Sequence, residues 1–569
     1  HNTVFEAKGI PQMSWLDWMI VFLLNGSVIA FGFYLARSTH SSSDWFLGGR
    51  SLPWWGLGLS IFATSVDNAD AVSLTGYAYN HGMHIITAFT LASVCGAVLA
   101  SFVVVPVLYK GGFYTNAEYL ETRFGKSIRT ISALIQIQYR TSMLGLMIWS
   151  IYLMLQGILD FTPLQCWSLI VLLVIFTAAY TTWGGLTSVV WTDALQSLIM
   201  IAGGITIFFA VWSASGGWAA TVQKLSESTD PKGQPLINWL HIGQFQDSQS
   251  TSPYLIVMGW SIIGLGYYTV NHTQTMRLMG ARSLWDMKMA TLFGCLLIMP
   301  IMIGTTVMGV MGRVLVPEFT SHSAPDQLFP YYANQFLAPG FKGLVVAGIL
   351  SAAISTFDSI GSALSALFTR DIYACWICNN QTEKHYLKVT RWATVGILLI
   401  GFLYIPFIVR YDNMIQAFRT LIPIFVTPLF TIYLLGVLSR VPRQSGLVGL
   451  IAGSSFGILG FIDRELVDHQ LFSPLLTEKW YAFPASMLVT ALAMFLAAIK
   501  WGWLEKESAL VLKQDDVIKE QTWLTESREE LLDIQISPFK KSTPQYLNPN
   551  WYALVLIAIS FWIIFGLFW

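Results

Sequence analysis

Three polar side chains stand where an apolar run offers them no partner. In LPWWGLGLSIFATSVDNADAVSLTGYAYNHG, which begins at Leu52, Asp67, Asn68 and Asp70 fall near the middle of a stretch long enough to cross a bilayer. A charge at bilayer depth costs at least about 2.5 kcal/mol unless it is paired or faces a cavity, so these residues are functional candidates. Ser65, Asp67, Asn68 and Asp70 also compete for backbone hydrogen bonds. The helix is therefore expected to unwind there, exposing carbonyls and the N-terminus of a half-helix. The plainer reading is that Asp67 or Asn68 only caps the second half.

A second interruption lies in GWSIIGLGYYTVNHTQTMRLMG, where Gly259, Gly264 and Gly266 precede Asn271, His272, Thr273 and Gln274. A third polar run, FKGLVVAGILSAAISTFDSIGSALSALFTRDIY, places Ser351, Ser355, Ser359 and Ser362 at steps of four or three. That spacing makes one stripe on a helix, with Thr356 and Asp358 at its edges. A single serine there equally serves close helix packing, but packing does not need the Asp358 carboxylate. Asp193, in TTWGGLTSVVWTDALQS, is another acid inside an apolar run. Dehydrated Na+ is a hard cation wanting roughly five or six oxygens, and broken-helix carbonyls, hydroxyls and a carboxylate supply them. These are the parts of an ion cage.

The elements that must hold these residues follow from composition. Only 11% of the 569 residues are charged, 54% are apolar, and mean hydropathy is +0.57. An ordinary soluble globule is excluded. A formal net charge of zero leaves no polybasic field, so nucleic acid is not expected as a partner. Stretches of about 20 apolar residues number about 14, which predicts an all-α integral membrane protein with the lipid bilayer as its solvent. The first, over 14–36, follows a polar leader without a small-residue cleavage site and reads as a retained helix.

Arg37, Arg50, Lys110, Arg123, Arg277, Arg282, Arg370, Lys384, Arg440 and Arg443 fall in alternate connections. The positive-inside rule then puts those connections in the cytoplasm and both termini on the extracellular or periplasmic side of a plasma (inner) membrane. No soluble catalytic domain is left, so the chain reads as no enzyme. Only His272 of nine histidines lies well inside a span, which excludes a bis-histidine haem subunit, and the Cys375–Cys378 pair reads as structural. A passive channel would need no carboxylate pair at the midplane.

Two broken helices opening successive five-helix units are the mark of an inverted-repeat transporter with its solute site at the midplane. The expected organisation is a leader, a first extra helix and a loop over 1–52, one repeat over 53–213, and an extracellular loop over 214–252. A second repeat over 253–438, extra helices over 439–501, a charged cytoplasmic segment over 502–548 and a last helix over 549–569 follow. No letter-level repeat is visible, so the symmetry rests on hydropathy and breaks.

GRSLPWWGLGLSIFATS (49–65), YTTWGGLTSVVWTDALQ (180–196) and the run ending ALFTRDIY resemble the sodium/solute symporter family, which includes sodium/glucose, sodium/proline and sodium/iodide cotransporters. The likeness covers nearly the whole chain and is strongest to the bacterial sugar-transporting branch. It implies a LeuT-like fold of five plus five inverted helices with extra helices at both ends, alternating access, and one or two coupled Na+ ions.

By motif position the resemblance places the main Na+ site on the carbonyls of Ala63, Val66 and Ala352 and the hydroxyls of Ser355 and Thr356. A second Na+ or H+ site would take Asp193, Ser355, Asp358 and Ser359. Tyr267 matches an inner-gate aromatic, with Tyr268 beside it and Asn271 further along.

The sugar pattern fails elsewhere: Ala88 and Phe89 replace a Tyr-Glu pair, Asp70 replaces a glutamine, and a lysine is missing from the eighth span. Charge stands in its place. Asp67, Asn68 and Asp70 line the break, while Arg140 and, beside Phe418, Arg419 lie inside other spans. An amine and a carboxylate on one ligand would match an aspartate and an arginine fork, which favours an amino acid or other zwitterion. Alternatively the arginines pair with the aspartates in the empty protein. A sodium/sugar symporter with a non-standard sugar site, and a non-transporting sensor or scaffold, are the rival readings.

Overall fold

A computed structural model describes residues 13–38, 42–229, 233, 235–243, 252–319, 324–410, 414–465, 467, 479–504 and 548–569. Most of the leader and of the charged segment expected over 502–548 lies outside the described residues. The side chains of Phe418 and Arg419 also lie outside them.

Among the described residues the chain is helical, and its only β pairs are isolated bridges. Eleven helices are long and apolar enough to cross a membrane. The main elements are α1 (Trp15–Leu35), α2 (Trp54–Ser65), α3 (Asn68–His81), α4 (Ala88–Lys110), α5 (Asn116–Phe124) and α6 (Lys126–Leu159). They continue with α7 (Pro163–Ser215), α8 (Pro253–Val270), α9 (His272–Met279), α10 (Leu284–Leu315), α11 (Phe341–Ile377) and α12 (Glu383–Ile408). The remainder are α13 (Met414–Leu438), α14 (Ser445–Arg464), α15 (Trp480–Trp501) and α16 (Pro549–Leu567).

The difference from about 14 expected spans has local causes. The span over 53–79 is split into α2 and α3, each too short to cross alone, and the apolar described part of α13 is only Ile424–Leu438. The spans over 164–183 and 188–213 run together as the 53-residue α7, bent at Gly185 with φ 58° and ψ −162°. A Cβ at Gly185 would lie 2.6 Å from Trp45 Cα, so both the left-handed backbone and the approach of Trp45 require glycine.

Burial grades outward. The most enclosed span is α11, whereas α1 and α16 expose large apolar side chains such as Phe22, Leu23, Trp551 and Leu554. Such side chains would be a liability in water and are the natural coat of a helix facing lipid tails.

Where α5, the start of α6 and the end of α11 meet, the fully buried Arg129 bonds Glu118 at 3.3 Å, Glu121 at 2.5 Å and Asp371 at 2.6 Å. Cys375 is buried nearby with its thiol on the Arg370 carbonyl, and neither it nor Cys378 forms a disulfide.

Candidate functional site: a broken helix, a hydroxyl stripe and a cavity

The first helix break is real, and its chemistry follows from the capping box that forms it. Val66 and Asp67 are extended, at φ −112° and −107°, between α2 and α3. Asp67 Oδ1 accepts from the Asp70 N–H at 3.0 Å, and Asp70 Oδ2 accepts from the Asp67 N–H at 3.1 Å. In an unbroken helix that Asp67 N–H would close on the Ala63 carbonyl. Diverted to Asp70, it leaves Ala63 to other donors. Ser355 on α11 takes the place, its Oγ 3.2 Å from the Ala63 oxygen. The next carbonyl, of Thr64, accepts from Tyr267 Oη at 3.1 Å. Thr356 Oγ1 donates to the Ala352 carbonyl at 2.9 Å, and Ala352 and Val66 both line a cavity of about 60 Å³ beside the break. The oxygens expected for the main cation are thus carried by facing stretches of α2 and α11.

The second break, between α8 and α9, is handled differently. Asn116 Nδ2 donates to the Val270 carbonyl at 2.7 Å, and the His272 N–H donates to Gln136 Oε1 at 3.0 Å. Asn271 spends its own Oδ1 capping α9 through Thr273. Two amide side chains therefore satisfy backbone groups here that the first break leaves for hydroxyls.

The serine stripe of α11 reaches several helices, and Ser355 and Ser359 both touch α2. Ser351 donates to Asn25 on α1 at 2.9 Å, Ser355 to Asp193 on α7 at 2.6 Å, and Ser359 lies 3.2 Å from Thr64 on α2. Ser362 bonds only within its own helix, to the Asp358 and Ser359 carbonyls, among the described residues. Asp358 faces another way: Tyr180 donates to one carboxylate oxygen and Thr181 to the other at 2.5 Å.

Asp193 is fully buried against Arg277 of α9, with Nη2 2.9 Å from Oδ2, and Ser60 donates to the same oxygen at 2.5 Å. The sequence assigns Arg277 to a cytoplasmic connection. In the structure it lies on α9 with its side chain wholly enclosed.

Beside the break lies a cavity of about 140 Å³. Asp67, Asp70, Arg140, Tyr267 and Tyr268 all line it, joined by residues the sequence did not single out, among them Ser73, Tyr139 and Trp260. Asn68 stands on the other side of the break, pinned to α6 by its bond to the Met147 carbonyl at 2.9 Å, and Asn271 is absent from the lining. Arg140 is 2% exposed, and its Nε and Nη2 have no hydrogen-bond partner among the described residues. No ion pair joins it to Asp67 or Asp70 among the described residues, so Arg140 does not form the self-paired arrangement there, and the pairing of Arg419 lies outside the described residues. Its guanidinium carbon lies 5.7 Å from the Tyr267 ring centre and 5.8 Å from that of Tyr139. Gln274 donates to Ser65 Oγ at 3.0 Å and to Tyr267 Oη at 3.3 Å, tying the cavity wall to the second half-helix.

A family model described as the sodium:solute symporter family matches residues 45–453, a range that holds both breaks, the serine stripe and Asp193. The chain belongs to that family. This symporter is 26% identical over 499 residues to the sodium/glucose cotransporter of Vibrio parahaemolyticus, covering 83% of this chain and 90% of the relative. It is 25% identical over 450 residues to the sodium/sialic acid symporter NanT of Aliivibrio fischeri, covering 77% and 86%. Its fold matches a Na+-coupled sialic acid symporter solved substrate-bound and outward-open, with a TM-score of 0.74 and 21% identity over 86% of this chain and 99% of that one. Membership makes the chain a multi-pass, Na+-coupled solute symporter and not an enzyme.

Proposed function

We propose that this symporter moves a small solute bearing a carboxylate, with zwitterions such as amino acids favoured, through a LeuT-like alternating-access cycle. The repeats would be 53–213 and 253–438, and both termini would face outside. One observation carries the substrate reading: Arg140 is enclosed at the cavity with two nitrogens that have no partner among the described residues. A buried guanidinium lacking acceptors is costly, and a carboxylate supplies two at once in matching geometry. Asp67 and Asp70 line the same cavity and offer acceptors for an ammonium group.

Na+ takes the Ala63, Val66 and Ala352 carbonyls with the Ser355 and Thr356 hydroxyls; of the second cation position expected on Asp193, Ser355, Asp358 and Ser359, only Asp193, Ser355 and Ser359 lie together. Coupling follows from sharing one break: the ion orders residues 63–66, and the solute contacts begin at Asp67. The sugar reading keeps support from the hydroxyls and aromatic rings of Ser73, Tyr139, Trp260 and Tyr267 on the cavity wall and from the named relatives.

The test is a thermal-shift screen of the purified protein with amino acids, amines, neutral sugars and sugar acids, in Na+ and in K+. A ligand at a hundred times its Kd stabilises by about 2.7 kcal/mol. Carboxylate-bearing compounds should raise Tm in Na+ only, and the hit should accumulate in proteoliposomes under a Na+ gradient. A neutral sugar that stabilises where no carboxylate does would reject the Arg140 assignment. A solute that binds without accumulating would mark a sensor on the same fold.

A further inference from the structure

We infer that the cation beside Asp193 is the chain's own Arg277 guanidinium, so that a single Na+, held between Ala63 and Ser355, is the whole ionic load of one cycle; this rests on the Na+-coupled reading above. The second cation position was expected on Asp193, Ser355, Asp358 and Ser359. Three of the four gather, and the fourth does not, because the Asp358 carboxylate is held by Tyr180 and Thr181.

The gathered hydroxyls and carboxylate are already serving a cation. Arg277 Nη2 lies 2.9 Å from Asp193 Oδ2 and 2.5 Å from Ser359 Oγ, Nε lies 2.7 Å from Ser60 Oγ, and Nη1 lies 2.6 Å from the Thr273 carbonyl. Each guanidinium nitrogen has an acceptor, in contrast to Arg140.

Charge counting agrees with the geometry. Arg277 and Asp193 neutralise each other at 0% exposure, and a guanidinium keeps its charge in any protein setting. A Na+ added among these groups would meet a fixed like charge with no second carboxylate turned toward it.

The same pair prepares the site that does take Na+. Ser355 has one proton and two acceptors in reach, the Ala63 carbonyl at 3.2 Å and Asp193 Oδ1 at 2.6 Å. A Na+ on Ala63 claims that carbonyl and needs a lone pair of Ser355, which sends the proton to Asp193. Arg277 holds Asp193 aimed for this, the role of an orienting partner behind a metal ligand. Arg277 is therefore a positioning residue that also sets the ion count.

The experiment counts bound 22Na+ per purified full-length chain by scintillation proximity and reads the Na+ dependence of Tm in parallel. The wild type should bind one ion with a Hill slope of one. Arg277→Gln should gain a second ion, with a slope rising toward two, Arg277→Lys should stay at one, and Arg277→Gln with Asp193→Asn should return to one. Two ions on the wild type, or one on Arg277→Gln with an unchanged slope, overturns the inference and leaves Na+ coupling standing. No ion on the wild type overturns both. The wild-type count decides the matter even if a variant fails to fold.

Discussion

Ser355 Oγ lies 3.2 Å from the carbonyl oxygen of Ala63, a residue 292 positions earlier in the chain. One hydroxyl thus joins the end of α2, where helical bonding stops, to the enclosed helix α11. Neither partner is a strong ligand alone, and together they form an edge on which a desolvated cation can rest.

Ser355→Ala removes the hydroxyl proposed as a Na+ ligand and also strips Asp193 Oδ1 of its 2.6 Å donor. The Na+ concentration for half-maximal stabilisation should rise at least about tenfold, equivalent to about 1.4 kcal/mol. Ser355→Thr, which keeps the oxygen, should recover most of it. A Na+ titration of Tm checks both, and an unmoved midpoint for the alanine variant would reject the cation assignment.

Arg140→Gln should weaken the solute without touching the ion. Hydrogen bonds to a charged group are worth about 1.5–3 kcal/mol, so solute affinity should drop roughly ten- to hundredfold. Solute-dependent shifts at saturating Na+ measure this, while the Na+ midpoint without solute serves as the control. Equal losses in both titrations would mean that Arg140 supports the fold and does not contact the passenger.

Asp67 has two duties that one substitution separates. Asn caps a helix about as well as Asp, so Asp67→Asn should cost only a few tenths of a kcal/mol in stability, against about 1 kcal/mol for Asp67→Ala. If the negative charge meets an ammonium group, both variants should lose zwitterion binding alike. Retained binding in Asp67→Asn would leave the cap as its whole contribution.

The buried Arg129 cluster predicts a stability effect far from the cavity. Arg129→Ala leaves Glu118 and Asp371 as buried, unpaired carboxylates, a change that costs about 3–5 kcal/mol. Arg129→Ala combined with Asp371→Ala should recover part of that loss. Denaturation of the purified variants, with Na+ and solute midpoints as controls, provides the check.

The break at Asp67 was legible because four adjacent residues prefer to bond their own backbone, and that preference acts locally. The stripe of Ser351, Ser355 and Ser359 was legible from its step, although its separate partners on α1, α7 and α2 were not. The enclosure of Arg277 was not legible, because an arginine near the end of an apolar run carries the same letters whether it faces water or folds back. The available signal was Asp193, an acid deep in a span that required a cation from somewhere. Asn116 and Gln136 had no signal of this kind, since the main-chain groups they bond at the second break are brought close only by the finished fold. Asp358 was grouped with Ser359 by the family resemblance, but neighbours on a helix point about 100° apart, and that angle delivers Asp358 to Tyr180.

The unequal treatment of the two interruptions divides labour between halves that hydropathy makes look alike. At Val270 and His272 the loose main-chain ends are laced to amides, so that joint can flex or bear load and still attract no cargo. At Ala63 the loose end is met by one serine hydroxyl that is shared with Asp193. New passengers could then arise by recutting the walls around Arg140, with the laced joint and its mechanics left as they are.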